Sequence, residues 1–261
     1  MAKIISLVNQ KGGVGKTTTS INLAAALGKL GKKTLLVDID PQRNATTGLG
    51  FSNGDFTHDI YEVITKKCPV EEAIIKTKFD NLYLLPSTIN LAGVELEFVK
   101  KMYEDSTFHQ NEQLKSALNS IRDRFDYVII DCMPSLGITT MNVLVASDSV
   151  IIPVQCEYYA LDGVSLILNS IIMVQSSLNP NLRIEGVLLT MLDARTNLGL
   201  SVIEEVRSYF KDKTFNTIIP RLVRLCEAPS HGKPINVYDP GSRATEAYEN
   251  LAKEVIERDG K

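Results

Sequence analysis

Lys11-Gly12-Gly13-Val14-Gly15-Lys16-Thr17-Thr18 is the stretch on which the reading of this chain turns. It follows an apolar run, Lys3-Ile4-Ile5-Ser6-Leu7-Val8, and opens a helical pattern that runs from Thr17 to Leu30. Strand, glycine-rich turn and helix in that order form the setting of a phosphate-binding loop. Glycines admit backbone conformations closed to residues with side chains. The N–H groups from Gly12 through Thr18 can then converge on phosphate oxygens, and the helix N-terminus adds a favourable partial charge. In such a loop Lys16 reaches the β- and γ-phosphates and Thr17 ligates Mg²⁺. The spacing departs from the strict G-x-x-x-x-G-K-[ST] form, because Gln10 stands where the first glycine belongs and is followed by Lys11 and Gly12-Gly13.

Outward from the loop, strand and helix patterns alternate almost to the end. The first helix carries Ile21, Leu23, Ala24, Leu27 and Leu30 on its apolar positions, with Gly31 as its C-cap. Strands are read at Thr34–Val37, Asn81–Leu85, Tyr127–Ile130, Ser149–Val154, Ile184–Leu189 and Thr217–Ile219, and helices at Leu114–Arg124 and Arg243–Arg258. Near-continuous apolar strands separated by helices predict an α/β fold, a mostly parallel twisted sheet with helices on both faces. The expectation is a single P-loop NTPase domain over residues 1–261, with 51–113 as an irregular helical insertion within it.

Composition bounds the function. The chain has 261 residues, 44% hydrophobic and 23% charged, which excludes disorder, a collagen-like repeat and a small disulfide scaffold. A net charge of −3 excludes a wholly basic nucleic-acid coat but not a local basic patch. The apolar run near Met1 is too short for a signal-peptide core, and no stretch is apolar for long enough to predict a spanning helix. Cys68, Cys132, Cys156 and Cys226 form no CxxC pair, and His58, His109 and His231 form no recognisable metal triad. Free thiols in a reducing cytoplasm are expected.

Three aspartates lie at strand ends beside the loop. Asp131 closes Val128-Ile129-Ile130, as a carboxylate on the Mg²⁺ side does, and Asp38 and Asp40 close a neighbouring strand.

At this point the sequence is identified as a member of the ParA/Soj family of partition ATPases, the deviant-Walker-A branch of the ParA/MinD superfamily. The resemblance spans the chain. It rests on KGGVGKTTT at Lys11–Thr19, LLVDIDPQ at Leu35–Gln42, NATTGLG at Asn44–Gly50 and DYVIIDCMPSLG at Asp126–Gly137. It continues with PVQCEYYAL at Pro153–Leu161, TMLDARTNLG at Thr190–Gly199 and RLCEAPSHGKPI at Arg224–Ile235.

The resemblance implies a slow, Mg²⁺-dependent ATP hydrolase, cytoplasmic and nucleoid-associated, that works as an ATP-sandwich homodimer. Lys11 would cross the dimer interface to the partner's phosphates, where two polyanions demand extra positive charge. Asp40 would position the attacking water, and Asp38 and Asp131 would support Mg²⁺ largely through water. Cys132–Gly137 would sense the γ-phosphate, and the adenine would be read near Pro220 and Leu222. The ATP-bound dimer would bind double-stranded DNA without sequence preference through Arg195 and Arg224, and a ParB-like centromere-binding partner would stimulate the hydrolysis that releases it. Seven Lys and Arg against five Asp and Glu between Thr190 and Ile235 give that region a mild positive bias.

Four positions depart from the family pattern: Arg43 stands where Gly is usual, Met133 where Pro is usual, Leu222 where Asn is usual and Gly241 where Arg is common. Arg43 would be strained if the backbone there needs positive φ. Leu222 cannot read a base through its side chain, so recognition would rest on backbone near Pro220. The first strand starts at about Lys3, so the larger plasmid type with an N-terminal DNA-binding domain is not indicated. A MinD-like membrane role is disfavoured by five acidic residues between Glu246 and Asp259 in the closing helix. An iron–sulfur reductase lacks the cysteine contexts it would need. A dethiobiotin-synthetase-like ligase is disfavoured by the match around Arg195 and Glu227–Ser230, and a nucleotide-gated scaffold without hydrolysis differs only in turnover.

Overall fold

Eight strands form one sheet in the order β3-β4-β2-β5-β1-β6-β7-β8. They are β1 Lys3–Leu7, β2 Thr34–Ile39, β3 Ile75–Lys76, β4 Leu82–Leu85, β5 Tyr127–Cys132, β6 Ser149–Gln155, β7 Arg183–Leu192 and β8 Thr214–Pro220. All neighbours pair in parallel except β3, which runs antiparallel on β4 and closes that edge. The computed structural model describes residues 1–260 other than 136, 158–161 and 196, with side chains left out at 162, 163 and 197. The pair Tyr158-Tyr159, which the sequence suggests as the opening of a helix packed in the core or at a dimer interface, lies outside the described residues.

The expected strands are all present, and the alternation of their side chains sorts the core into two layers. Ile4, Leu35, Val37, Val128, Ile130, Val150 and Ile152 face one layer. Ile5, Leu7, Leu36, Ile129 and Ile151 face the other. The helices Lys16–Lys29 and Arg243–Asp259 cover the second layer through Ile21, Leu23, Leu27, Tyr248, Leu251 and Val255. Gln113–Ile121, Ile138–Ala146, Asp162–Ser177 and Asn197–Phe210 cover the first. Strands buried on both faces are dominated by apolar residues, which is why β2 and β5 read as hydrophobic runs, Leu35–Val37 and Val128–Ile130, up to Asp38 and Asp131.

Sequence reading overlooked the helix Ile138–Ala146. It has no polar stripe to betray its period, because Thr139, Thr140 and Asn142 are buried along with Val143 and Leu144. The segment 51–113 contains the short helices Ile60–Ile64 and Val70–Ala73, strands β3 and β4, and the helix Val94–Glu104.

The chain leaves β1 toward β2 on one side and later fills β6, β7 and β8 on the other. That reversal opens a crevice at the C-terminal ends of the central strands, where doubly wound sheets hold ligands. Among the described residues, no helix is long and apolar enough to cross a membrane.

Candidate functional site

The turn between β1 and the Lys16–Lys29 helix is shaped by backbone that only glycine adopts cheaply. Gly13 has φ 75° and Gly15, the helix N-cap, has φ 88°. Two side chains outside the motif hold the turn. The Asn9 amide donates to the Pro153 carbonyl at 2.8 Å while its oxygen accepts the Lys11 N–H at 2.9 Å. From β7, the Thr190 hydroxyl donates to the Val14 carbonyl at 2.9 Å. Neither was singled out by sequence; Asn9 adjoins the glycine motif, but Thr190 meets it only through the fold.

Lys16 is 6% exposed. Its Nζ donates to the Lys11 carbonyl at 3.0 Å, so the chain curls over its own loop. Burial lowers its pKa, and the neighbouring Cys132, Asp131 and Asp40 act against that fall. Among the described residues, no hydrogen bond or ion pair engages the half-buried Lys11 ammonium.

A cleft of about 550 Å³ opens over this loop. Gly12, Gly13, Gly15, Lys16, Thr17 and Thr18 form one wall, Asp40 to Gln42 with Asn44 another, and Cys132 to Pro134 with Met191 the rest. Of the residues predicted to hold phosphate, Gly12, Gly13, Gly15, Lys16, Thr17 and Thr18 share this cavity with Asp40, whereas Lys11 and the buried Val14 do not line it. Asp38 and Asp131 lie beneath it, both fully buried.

These two carboxylates are used differently. Asp38 spends both oxygens on the chain: Oδ1 accepts the Asp40 N–H at 3.2 Å, and Oδ2 accepts the Thr46 N–H at 2.8 Å and its hydroxyl at 2.7 Å. Thr46 in turn accepts the Ser87 N–H at 3.1 Å, so Asp38 ties the loop after β2 to the end of β4. Asp131 accepts the Ser20 hydroxyl on Oδ1 at 2.9 Å, whereas its buried Oδ2 has no hydrogen-bond partner among the described residues. Burial pushes both pKa values up; the charge of Asp38 adds to the rise at Asp131, and the hydroxyls of Thr17 and Ser20 act against it. A desolvated, half-satisfied carboxylate behind a threonine hydroxyl is an oxygen-donor set that suits Mg²⁺.

Arg43 follows Asp40 closely, its N–H donating to the Asp40 carbonyl at 2.8 Å. Its backbone sits at φ 50°, ψ 35°, the left-handed conformation anticipated for a glycine position. Its guanidinium pairs with Asn53, away from the phosphate loop. Met133 lines the cleft where a proline was expected.

Pro220 ends β8, opposite Leu192 of β7, and Leu222 is the N-cap of the turn Val223–Glu227. The Leu222 side chain packs on the second core layer beside that turn, and neither residue lines the cleft. Arg195 and Arg224 follow the C-terminal ends of the paired parallel strands β7 and β8 and so lie at the same end of the sheet. Each is held by carboxylates. Arg195, whose side chain is 89% exposed, makes a bidentate pair with Asp193 at 2.9 and 2.7 Å. Arg224 meets Glu227 at 3.2 Å and Asp239 at 3.8 Å and lies over the Tyr238 ring. Arg221 at the same end pairs with Glu157 at 3.2 Å.

With that geometry in view, comparisons place the chain among known proteins. Residues 2–184 match a family described as an AAA domain. The chain is 58% identical over 255 residues to the sporulation initiation inhibitor protein Soj of Bacillus subtilis, covering 98% of each. It is 47% identical over 260 residues to the chromosome-partitioning ATPase Soj of Treponema pallidum, covering 100% of this chain and 99% of that protein. Among solved structures it is similar to cobyrinic acid a,c-diamide synthase of Mycobacterium smegmatis with bound ATP analogue and magnesium, with TM-score 0.87 at 33% identity over 100% of this chain and 97% of that one.

Proposed function

The chain belongs to the ParA/Soj family of chromosome-partitioning ATPases, and from that premise we propose an ATP-gated cycle of dimerisation and DNA binding. That it is a Mg²⁺-dependent ATPase with ATP as substrate follows from the family and from the Mg²⁺-bound nucleotide complex of its structural neighbour. The cobyrinic acid a,c-diamide synthase likeness carries fold and nucleotide chemistry only, since one fold hosts many reactions.

In the proposed cycle the loop from Gly12 to Thr18 cradles the phosphates and Lys16 moves from the Lys11 carbonyl onto them. Thr17 and Asp131 would hold Mg²⁺, and Asp38 fixes the loop that bears Asp40. Mg²⁺ supplies charge neutralisation for the phosphates. Asp40 orients a water whose oxygen attacks the γ-phosphorus; the bond to the bridging oxygen breaks, and ADP and phosphate are the products. Backbone near Pro220 and Leu222 meets the adenine. Lys11 reaches the nucleotide of a second copy, so the dimer forms only with ATP between subunits.

One observation carries this reading: Lys16 donates to the backbone carbonyl of Lys11, whose own ammonium has no hydrogen bond or ion pair among the described residues. A second cation next to the phosphate loop, outside the wall of its own cleft, is what a charge supplied in trans requires. Arg195 and Arg224 at one end of the sheet support a DNA surface, and a ParB-like protein is the proposed accelerator of hydrolysis. The closing helix supports a cycle away from membranes, because its apolar residues Tyr248, Leu251 and Val255 are already buried against the domain. We place the cycle in the cytoplasm at the nucleoid, run by residues 1–261 as one domain.

The test is DNA retention with ADP, ATP and a non-hydrolysable analogue at rising salt, beside light scattering for the dimer. ATP-dependent, salt-sensitive retention is expected, lost in Arg195→Ala and Arg224→Ala, with Lys11→Ala binding ATP yet remaining monomeric. Retention that ignores nucleotide, or a Lys11→Ala protein that still dimerises, would overturn the cycle.

A further inference from the structure

Away from the cleft, the segment after Phe51 gathers a second set of ligating side chains. A nitrogen of His58, a carboxylate oxygen of Glu62 and the Cys68 sulfur all lie within 4.8 Å of one another, the one such group of three among the described residues. Sequence reading gave this region no chemistry, because one histidine and one cysteine ten positions apart match no spacing pattern.

Local structure brings them together. Asp59 N-caps the turn Ile60–Ile64, and Glu62 completes a capping box with it. The box sets Glu62 Oε2 3.0 Å from His58 Nδ1. Lys66, at φ 57°, reverses the chain so that the N–H groups of Lys67 and Cys68 both donate to the Glu62 carbonyl, at 2.8 and 3.4 Å. That reversal returns Cys68 to the same side of the turn. Across the ring, His58 Nε2 lies 3.9 Å from Glu72 Oε2.

The group is also short of positive charge. Burial, and then the carboxylates of Glu62, Glu72 and Asp59, push the Cys68 thiol up to about 11. The two cations nearest in sequence are turned elsewhere: Lys66 lies over the Phe108 ring, and Lys67 serves Tyr61 and Glu97.

We propose that His58, Glu62 and Cys68 bind a thiophilic divalent transition-metal ion, zinc foremost, with Glu72 as the carboxylate behind the imidazole. Mixed N, O and S donors select zinc over Mg²⁺ or Ca²⁺. Ligation through Nδ1 leaves Nε2–H to donate to Glu72, the arrangement that fixes the tautomer of metal-bound histidines. Zinc bonds of about 2.0 Å to nitrogen and 2.3 Å to sulfur require the donors to draw in by about an ångström, with water as the fourth ligand. The thiol proton leaves to solvent as the sulfur–zinc bond forms, with no change of oxidation state. Ile60 N–H donates to the Pro86 carbonyl at 2.9 Å and Asp59 accepts from Thr88, so the ion would clamp residues 58–72 onto the chain after β4. Its role is to stiffen this segment, not to turn over ATP.

Co²⁺ titration of metal-stripped protein tests this, with excess Mg²⁺–ADP present to occupy the phosphate loop. A near-ultraviolet thiolate-to-cobalt band is expected, saturating at a single equivalent and bleached by Zn²⁺. Cys68→Ser should abolish it and Cys226→Ser should leave it intact. Glu72→Gln should weaken affinity about 10-fold. In the unsubstituted protein, Zn²⁺ should protect Cys68 from alkylation as read by peptide mass spectrometry. Absence of the band, its survival in Cys68→Ser, or unprotected Cys68 at saturating Zn²⁺ would overturn the site.

Discussion

Asp38 and Asp131 are register partners across β2 and β5, and both are fully buried. Two carboxylates side by side in a sheet interior oppose each other's ionisation. The first relieves its cost with three hydrogen bonds from the chain, while the second keeps an oxygen that has no hydrogen-bond partner among the described residues.

The first prediction follows from that oxygen. With its folded pKa raised above 3.8, Asp131 binds its proton more tightly folded than unfolded. Its cost to the metal-free protein is absent at low pH and grows as pH rises from about the ordinary carboxylate value toward neutrality. Asp131→Asn should therefore stabilise metal-free protein near neutral pH, by on the order of 1–3 kcal/mol, and flatten the fall in melting temperature between acid and neutral buffers. The same variant should lose Mg²⁺-dependent ATPase activity. Thermal melts in chelator across pH, beside phosphate-release assays, check both halves.

Arg43 stands where the backbone favours glycine. A left-handed non-glycine residue costs on the order of 1 kcal/mol, part of which glycine gives back as chain entropy. Arg43→Gly should raise stability by about 0.5–1 kcal/mol, since the lost partner, Asn53, is exposed. Urea denaturation curves with unchanged slope would measure it, and a destabilised variant would refute the strain argument.

Under the proposed function, the carboxylate facing Arg195 competes with DNA phosphate. The guanidinium pair holds the Asp193 carboxyl down to about 2, so it stays charged at any working pH. Asp193→Asn should strengthen ATP-dependent DNA retention at low salt by about 2–5-fold, the range of an exposed ion pair. Fluorescence anisotropy with a labelled duplex at several salt concentrations reads the gain.

The four cysteines should differ sharply toward an alkylating reagent. Cys226 is exposed, whereas Cys132 and Cys156 are buried with thiols pushed up to about 12 and about 11. Thiolates are the reactive form, so mass spectrometry at neutral pH should find Cys226 modified first and the buried pair only after unfolding.

What the sequence determined by itself is the set of features written in short stretches of chain. The glycine loop, the apolar strands, the apolar first helix and the amphipathic last helix each follow from the local spacing of residue types, so their places are legible without coordinates. The warning at Arg43 belongs here too, because positive φ is a property of one residue. What only tertiary structure decided depends on strand order and on which strands lie side by side. Nothing in the chain near Asp38 or Asp131 says that β5 pairs with β2, that one carboxylate will be satisfied by Thr46, or that one oxygen of the other will lack a hydrogen-bond partner among the described residues. Thr190 reaches Val14 across 176 positions, and Arg195 and Arg224 lie at the same end of the sheet because β7 pairs in parallel with β8. His58 and Cys68 meet through a capping box and one left-handed lysine. Spacing patterns are short-range, whereas hydrogen bonding and desolvation depend on distance in space, and the sheet is what turns one into the other.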